Sequence, residues 1–452
     1  MGKNMSEMYK GVFATAEEAC VVAEKAQKEL MEKYTIDDRQ RMIENIKKSA
    51  LNRVDELAKQ EWEETCYGRC EDKRAQLMGN ITNLPDTKAV PTTVMTGSKG
   101  VTLDVYAPFG VVGAVTPVTN VASTLMGNAV CNLAVGNSVV FNVHPAGVET
   151  AKIVVDMINS AIVEAGGPED LYTMPGKPTM DTLATIVNYP AIRLISGTGG
   201  PAMVKTLMAS GKRVIAAGPG NPPCVVDSSA DLKKAAQQIT NCASFNNNIF
   251  CIAEKELFVV EDVYEDFLKE FEALGHVKLT KEQAAKLVEV CLNKNPEGAP
   301  EAYSPNKKFV GRNCNVLLKA ADIPVEGDPR LAFFEAENED PFVQTEQMMP
   351  IMPIVKCKDF EEACQRAVAA EHGCHHSSSI WTKDLYHATE FAKRINTTVC
   401  VNNGSTMAAY GNGGEGTDTP TTATPTGEGV TNPTTFARRR RFAMADGMGF
   451  PV

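Results

Sequence analysis

The sequence predicts an α/β fold: a doubly wound parallel sheet of nucleotide-binding type, followed by a second α/β region. Two observations carry this. Short continuous apolar runs recur at 111–115, 138–141, 171–174, 192–195 and 214–217, and helical stretches such as 148–164 and 180–187 separate them. Strands without polar alternation belong to parallel sheets covered on both faces, and right-handed crossovers then place helices on each side.

Residues 15–68 read as helices laid ahead of that sheet. Thr15 with Glu18 and Thr35 with Asp38 each fit a capping box, in which hydroxyl and carboxylate satisfy orphan N–H groups reciprocally. From Met42, the residues Ile43, Ile46, Leu51, Val54, Leu57, Ala58 and Trp62 keep a three-or-four spacing against a charged face, the pattern of a surface helix. Val101, Leu103 and Val105 alternate with Thr102, Asp104 and Tyr106, which is a half-exposed strand. The second region offers strands at 256–260, 352–355, 379–381 and 398–401, with helices at 261–274, 359–370 and 383–395. Residues 403–435 are rich in Gly, Thr and Pro, and a loop this long is usually functional or disordered.

Composition excludes several classes. The chain has 452 residues and a formal net charge of −11, without the basic face of a nucleic-acid binder. No apolar run reaches the ~18 residues of a membrane span, and the first residues lack a signal core. Gly2 and Ser6 match a myristoylation pattern that chance explains better. Thirteen cysteines without regular spacing read as reduced thiols of a cytoplasmic protein.

The candidate chemistry is sparse. Gly197-Thr198-Gly199-Gly200-Pro201 joins a strand to a helix, but its spacing fits neither a dinucleotide fingerprint nor a Walker loop. A plain turn and a nucleotide loop both remain open there. Cys66 with Cys70, and Cys374 with His375 and His376, lack the paired spacing of a zinc site, so no metal is expected. Arg438–Arg441 reads as a solvated or interface segment. Cys251 follows three consecutive asparagines, Asn246 to Asn248, and precedes an apolar strand, as in a loop that delivers a thiol into a cleft. By composition alone it is one buried small hydrophobe among thirteen.

Over almost its whole length the chain resembles the aldehyde dehydrogenase superfamily, and within it the CoA-acylating acetaldehyde and propionaldehyde dehydrogenases of bacterial microcompartments. The strings that carry the resemblance are APFGVVGAVTPVTN at 107–120, NVHP at 142–145, GTGGPAMVKT at 197–206, GPGNPP at 218–223, NNNIFCIAEKE at 246–256, EQMMPIMPIV at 346–355 and ATPTGEG at 423–429. Asn246 replaces the family's usual Asp, and Ile249-Phe250 its Leu-Pro pair.

The resemblance implies a Rossmann-type cofactor domain at 1–243 with an oligomerisation hairpin near 96–108. A catalytic domain at 244–427 and a tail at 428–452 that adds to a neighbouring subunit's sheet complete it. It implies Cys251 as nucleophile and Asn120 as oxyanion donor beside the Cys251 N–H. The cofactor cleft would use Thr116, Pro117, Asn142, His144, Ser196, Gly197, Gly199, Gly200, Gly218 and Glu346, with Glu346 on the nicotinamide ribose and NAD and coenzyme A using one cleft in turn. His376 matches a family histidine near that cleft.

Hydrolysing relatives keep a Glu where Ala216 stands, and many keep a Lys where Asn142 stands. Water then lacks an activating base, whereas a thiol near the reference pKa of about 8.5 ionises unaided, so the expected product is an acyl-CoA. The rival readings are a hydrolysing enzyme, which Ala216 disfavours, and a non-catalytic scaffold of a microcompartment. A small aliphatic aldehyde, a homodimer or homotetramer, shell or cargo proteins as partners, and a cytoplasmic or microcompartment location complete the expectation. Neither a membrane nor a nucleic acid is expected as partner.

Overall fold

The structure is a computed structural model that describes residues 8–299 and 301–449; the Gly2 and Ser6 pattern lies outside them. Two compact units emerge: residues up to 64 with 76–217 and 418 onward, and residues 65–75 with 218–417.

The first unit opens with the three helices Ala16–Lys33, Ile36–Asn52 and Val54–Thr65, and the capping boxes at Thr15 and Thr35 both form. Its strands are β1 (Val12–Phe13), β2 (Thr93–Gly97), β3 (Gly100–Pro108), β4 (Val111–Thr116), β5 (Ser138–Val143), β6 (Tyr172–Pro175), β7 (Ile192–Thr198) and β8 (Arg213–Ala217). Six of them form a parallel sheet in the order β1-β6-β5-β4-β7-β8. The chain winds outward from β4 through β5 and β6, then returns to the other side of β4 as β7 and β8. That reversal puts a topological switch point between the carboxyl ends of β4 and β7, where open α/β sheets bind ligands.

Between β4 and β5 runs the helix Val121–Val135, buried along its whole length. A helix buried on every face has no exposed polar side to set against an apolar stripe, so sequence periodicity gives no sign of it. β2 and β3 form an antiparallel hairpin, and the tail strand Ala437–Met444 pairs with the free side of β3 of the same chain. Arg441 donates twice to the Asp104 carboxylate, at 2.7 Å each, so part of the arginine run serves as a register lock.

The second unit holds β9 (Pro223–Val226), β10 (Glu256–Val260), β11 (Val277–Lys278), β12 (Ala332–Ala336), β13 (Ile351–Cys357), β14 (Ser377–Trp381) and β15 (Val399–Asn402). They form a parallel sheet in the order β11-β12-β13-β10-β9-β14-β15. Because β9 lies inside this sheet, the unit begins at 218, ahead of the 243/244 junction read from the sequence. β10 is preceded by the loop that carries Cys251, and Phe258, Val225 and Ile380 pack a dry core beneath it. Among the described residues, no helix is long and apolar enough to cross a membrane.

One buried side chain ties helix to sheet in the first unit. Asn159, fully buried on the helix Val148–Glu164, donates to Tyr172 O at 2.7 Å and accepts from Tyr172 N at 3.2 Å. Asn159→Ala orphans both backbone groups, so urea unfolding should show a loss of about 2–4 kcal/mol, with the larger part of it recovered by no apolar substitute.

Candidate active site

Three consecutive residues before Cys251 adopt left-handed backbone angles: Asn246 at φ 51°, Asn247 at φ 56° and Asn248 at φ 60°. A left-handed residue with a Cβ costs about 1–2 kcal/mol, least for Asn, whose short amide bonds locally. The run of asparagines is thus a backbone requirement before it is anything chemical.

All three asparagines are buried and held by named partners. Asn246 N–H donates to Asp72 Oδ2 at 2.8 Å, and Arg69 N–H donates to Asn246 Oδ1 at 3.1 Å. Arg69 Nε donates to Asn247 Oδ1 at 3.0 Å while its two terminal nitrogens grip Asp328 at 2.6 and 3.1 Å. Asn247 Nδ2 reaches Gly311 O and Asn313 Oδ1, both at 2.9 Å, and Asn248 Nδ2 reaches Glu254 O at 3.1 Å. Gly68 is required here: a Cβ on it would fall 1.7 Å from Asn246 Oδ1.

The loop ends at Cys251, whose side chain is half-buried. Ile249 and Phe250 are buried beside it, in an apolar cluster with Cys242, Ala253, Phe245 and Met407. Burial pushes the Cys251 thiol up to about 12; the nearby Glu346 carboxylate acts in the same direction, and the Lys255 ammonium and the residue's own N–H oppose it. Glu346 is itself pushed up to about 7 by burial, against the pull of Lys255 and of a hydrogen bond from the Gly220 N–H.

His376 is fully buried, with Nδ1 2.9 Å from Ser377 Oγ and, among the described residues, no hydrogen-bond partner at Nε2. Burial, aided by Lys255, pushes its imidazole down to about 4, so it is neutral at pH 7. Gly220 lies against both groups: a Cβ there would sit 2.7 Å from His376 Cγ and 2.9 Å from the Cys251 carbonyl oxygen. The Gly218–Gly220 turn therefore gathers Cys251, Glu346 and His376 within one unit.

The first unit places the other expected residues at the switch point. Thr116 ends β4, Ser196 and Gly197 lie in β7 in register with β4, and Gly200 caps the helix Pro201–Met208. Gly197 is a packing glycine, since a Cβ would meet Leu207 Cδ1 at 2.2 Å, whereas Gly200 has open space around it. Asn120 stands at the N-cap of the helix Val121–Val135 but makes no side-chain cap bond. Glu61 caps in its place, accepting from Ala122 N–H at 2.9 Å, and Asn120 Oδ1 is buried without a partner among the described residues. Thr116 Oγ1 is also buried and unpaired. Orphaned buried polar atoms on the turn between β4 and this helix are what a polar cofactor would satisfy, so Thr116 and Asn120 fit a dinucleotide.

Two expected cofactor residues have local duties. Asn142 accepts from Thr182 Oγ1 at 2.7 Å and donates to Thr179 O at 3.4 Å. His144 Nδ1 accepts from Ala146 N–H at 3.2 Å. Arg69, Asp72 and Lys255, by contrast, hold the nucleophile loop and were not singled out by sequence reasoning. Arg69 and Asp72 lie far upstream, beyond the reach of a local motif. Lys255 sits inside the NNNIFCIAEKE string, where nothing local marks it apart from its charged neighbours.

Residues 1–290 and 328–417 match the model of the aldehyde dehydrogenase family, and the chain belongs to that family. It is 40% identical to the acetylating acetaldehyde dehydrogenase EutE of Salmonella typhimurium, over 96% of this chain and 92% of the relative. It is 39% identical, at a TM-score of 0.93, to the propionaldehyde dehydrogenase of the Clostridium phytofermentans fucose utilisation bacterial microcompartment, covering 97% of this chain and 99% of that one. A propionaldehyde dehydrogenase of Rhodopseudomonas palustris, solved with bound CoA and an acylated cysteine, is 35% identical at a TM-score of 0.92, covering 96% and 98%.

The buried imidazole makes stability depend on pH. Its folded value of about 4 lies below the ordinary histidine value, so the folded protein binds fewer protons between pH 4 and 6.5. This contribution is intact above pH 6.5 and is lost as pH falls through 4, approaching about 3 kcal/mol. Urea unfolding from pH 7 to 4 should show a flatter acid limb in His376→Gln than in the wild type.

Proposed function

We propose that the chain is a CoA-acylating aldehyde dehydrogenase. It oxidises a short aliphatic aldehyde with NAD and coenzyme A to an acyl-CoA and NADH, through a thioester on Cys251. The observation that carries this reading is the clamped loop that ends in a half-buried thiol, with no carboxylate at position 216 to activate water.

The Cys251 thiolate attacks the aldehyde carbon, and the oxygen that becomes negative needs preorganised donors. The Cys251 N–H is one, and the Asn120 amide, released from capping by Glu61, is the second. NAD, when bound, supplies the hydride acceptor and a positive charge that favours the thiolate. Thr116, Pro117, Ser196, Gly197, Gly199, Gly200 and Gly218 would line the cofactor's path, and Glu346, oriented by the Gly220 N–H, would hold its nicotinamide ribose. After loss of hydride the thiohemiacetal is a thioester.

Deacylation then depends on the entering nucleophile. Ala216 is fully buried, and its N–H donates to Thr426 Oγ1 at 3.0 Å, so this position activates no water. A CoA thiol needs no such base, because it ionises appreciably near neutral pH, with a reference value of about 8.5. The relatives act on two- and three-carbon aldehydes by name; one methylene is worth only about 1–3 kcal/mol, so the two substrates should overlap. In keeping with the likeness to a microcompartment enzyme, this reading puts the chain in the cytoplasm or such a compartment, as a homodimer or homotetramer that would join through the β2–β3 arm and tail strand, with shell or cargo proteins as its proposed neighbours.

Steady-state NADH formation from propionaldehyde should require CoA. Without it, a burst of about one NADH per subunit should precede a slow phase. Cys251→Ala should remove both phases while keeping its unfolding midpoint. Full turnover without CoA would instead establish the hydrolysing reaction.

A further inference from the structure

Lys255 is fully buried, four residues beyond the nucleophile and at the entry to β10. Its Nζ donates to Asn248 O at 3.0 Å, to Phe250 O at 2.6 Å and to Asn248 Oδ1. Three acceptors around one nitrogen require three N–H groups, which an ammonium has and a neutral amine lacks. The site is therefore built for a charged lysine, although burial alone works against the charge.

The contact to Phe250 O bears on the chemistry. The Phe250 carbonyl and the Cys251 N–H belong to one planar trans peptide, so they point in opposite directions. Holding the carbonyl on Lys255 fixes the N–H on the far side. Ala253 N–H also donates to Phe250 O, at 3.2 Å, which closes the turn behind it. Among the described residues, no oxygen is paired with the Cys251 N–H, which instead stabilises its own sulfur.

We propose that Lys255 is the positioning residue of the nucleophile: by gathering the oxygens of Asn248 and Phe250 it aims the Cys251 N–H at the developing oxyanion, and its charge supports the thiolate. This rests on the reading of Cys251 given above. The titratable groups that face Lys255 are Glu346, Cys251, Cys242 and Glu256, and His376 feels its charge as well. Of those facing Cys251, Glu346 disfavours the thiolate and Lys255 favours it.

The test compares the wild type, Lys255→Met, Lys255→Arg and Asn248→Gly. Two rates are read: the NADH burst with propionaldehyde, and the alkylation of Cys251 by iodoacetamide at pH 9, followed by peptide mass. In the wild type, alkylation of Cys251 must abolish the burst. If it does not, the nucleophile reading fails, independently of Lys255. Lys255→Met should slow the burst about a hundredfold, with the KM for NAD nearly unchanged. It should also slow alkylation about tenfold, the effect of one unit in the thiol pKa. Lys255→Arg, which keeps the charge, should restore alkylation more than the burst. A folded Lys255→Met enzyme with both rates within about twofold of wild type overturns the proposal. Faster alkylation also overturns it, because a lysine that only packed the loop would, once lost, leave the thiol more exposed. Should Lys255→Met not fold, Asn248→Gly keeps the left-handed angle and removes one acceptor. Its burst should slow about fivefold, and an unchanged burst overturns the proposal.

Discussion

Everything at the candidate site depends on a turn of left-handed backbone that the chain would not adopt unaided. Asn246, Asn247 and Asn248 together carry a strain of a few kcal/mol, which the surrounding hydrogen bonds must offset. Arg69, Asp72, Asn313 and Lys255 supply them, and Asp328 and Arg330 brace that set. A loop so determined keeps one geometry, and electrostatic stabilisation of an oxyanion needs donors placed in advance. Burying this apparatus also raises the thiol's pKa, against which the Lys255 ammonium and the residue's own N–H act.

The first unit solves a related problem with a different device. An asparagine at a helix N-cap ordinarily spends its side chain on the helix's own N–H groups. Glu61 takes that duty at Ala122, so Asn120 keeps its amide for another partner. The unpaired Thr116 hydroxyl lies on the same β4-to-helix turn, at the switch point where a sheet of this topology binds ligands.

The architecture was legible because its signals are local. The helix 148–164 and the strand 256–260 were read with the bounds the structure gives, and both predicted capping boxes form. What escaped lacked such a signal. The helix Val121–Val135 is buried on every face and has no period, and β11 has only two residues at a sheet edge. The tail strand Ala437–Met444 is mostly exposed and rich in arginine, so only the family resemblance marks 428–452 as a segment that joins a sheet, and its pairing with β3 of the same chain has no local signal. At the site, Cys251 and Glu346 came from family resemblance, since composition gave no reason to prefer either. The asparagine run stands out in the sequence for its polarity, while its left-handed backbone is set by partners distant in the chain. Arg69 and Asp72 are invisible to any local reading, because their partners lie about 175 positions away.

The central claim is that an acyl group rests on Cys251 and leaves to a thiol. The most direct measurement is the intact mass of the protein, with peptide mapping, after mixing with propionaldehyde and NAD and again after adding CoA. The account predicts a propionyl adduct on the Cys251 peptide approaching one per subunit, discharged by CoA as propionyl-CoA. An adduct on another residue, or release of free propionate at full rate before CoA is added, would contradict it.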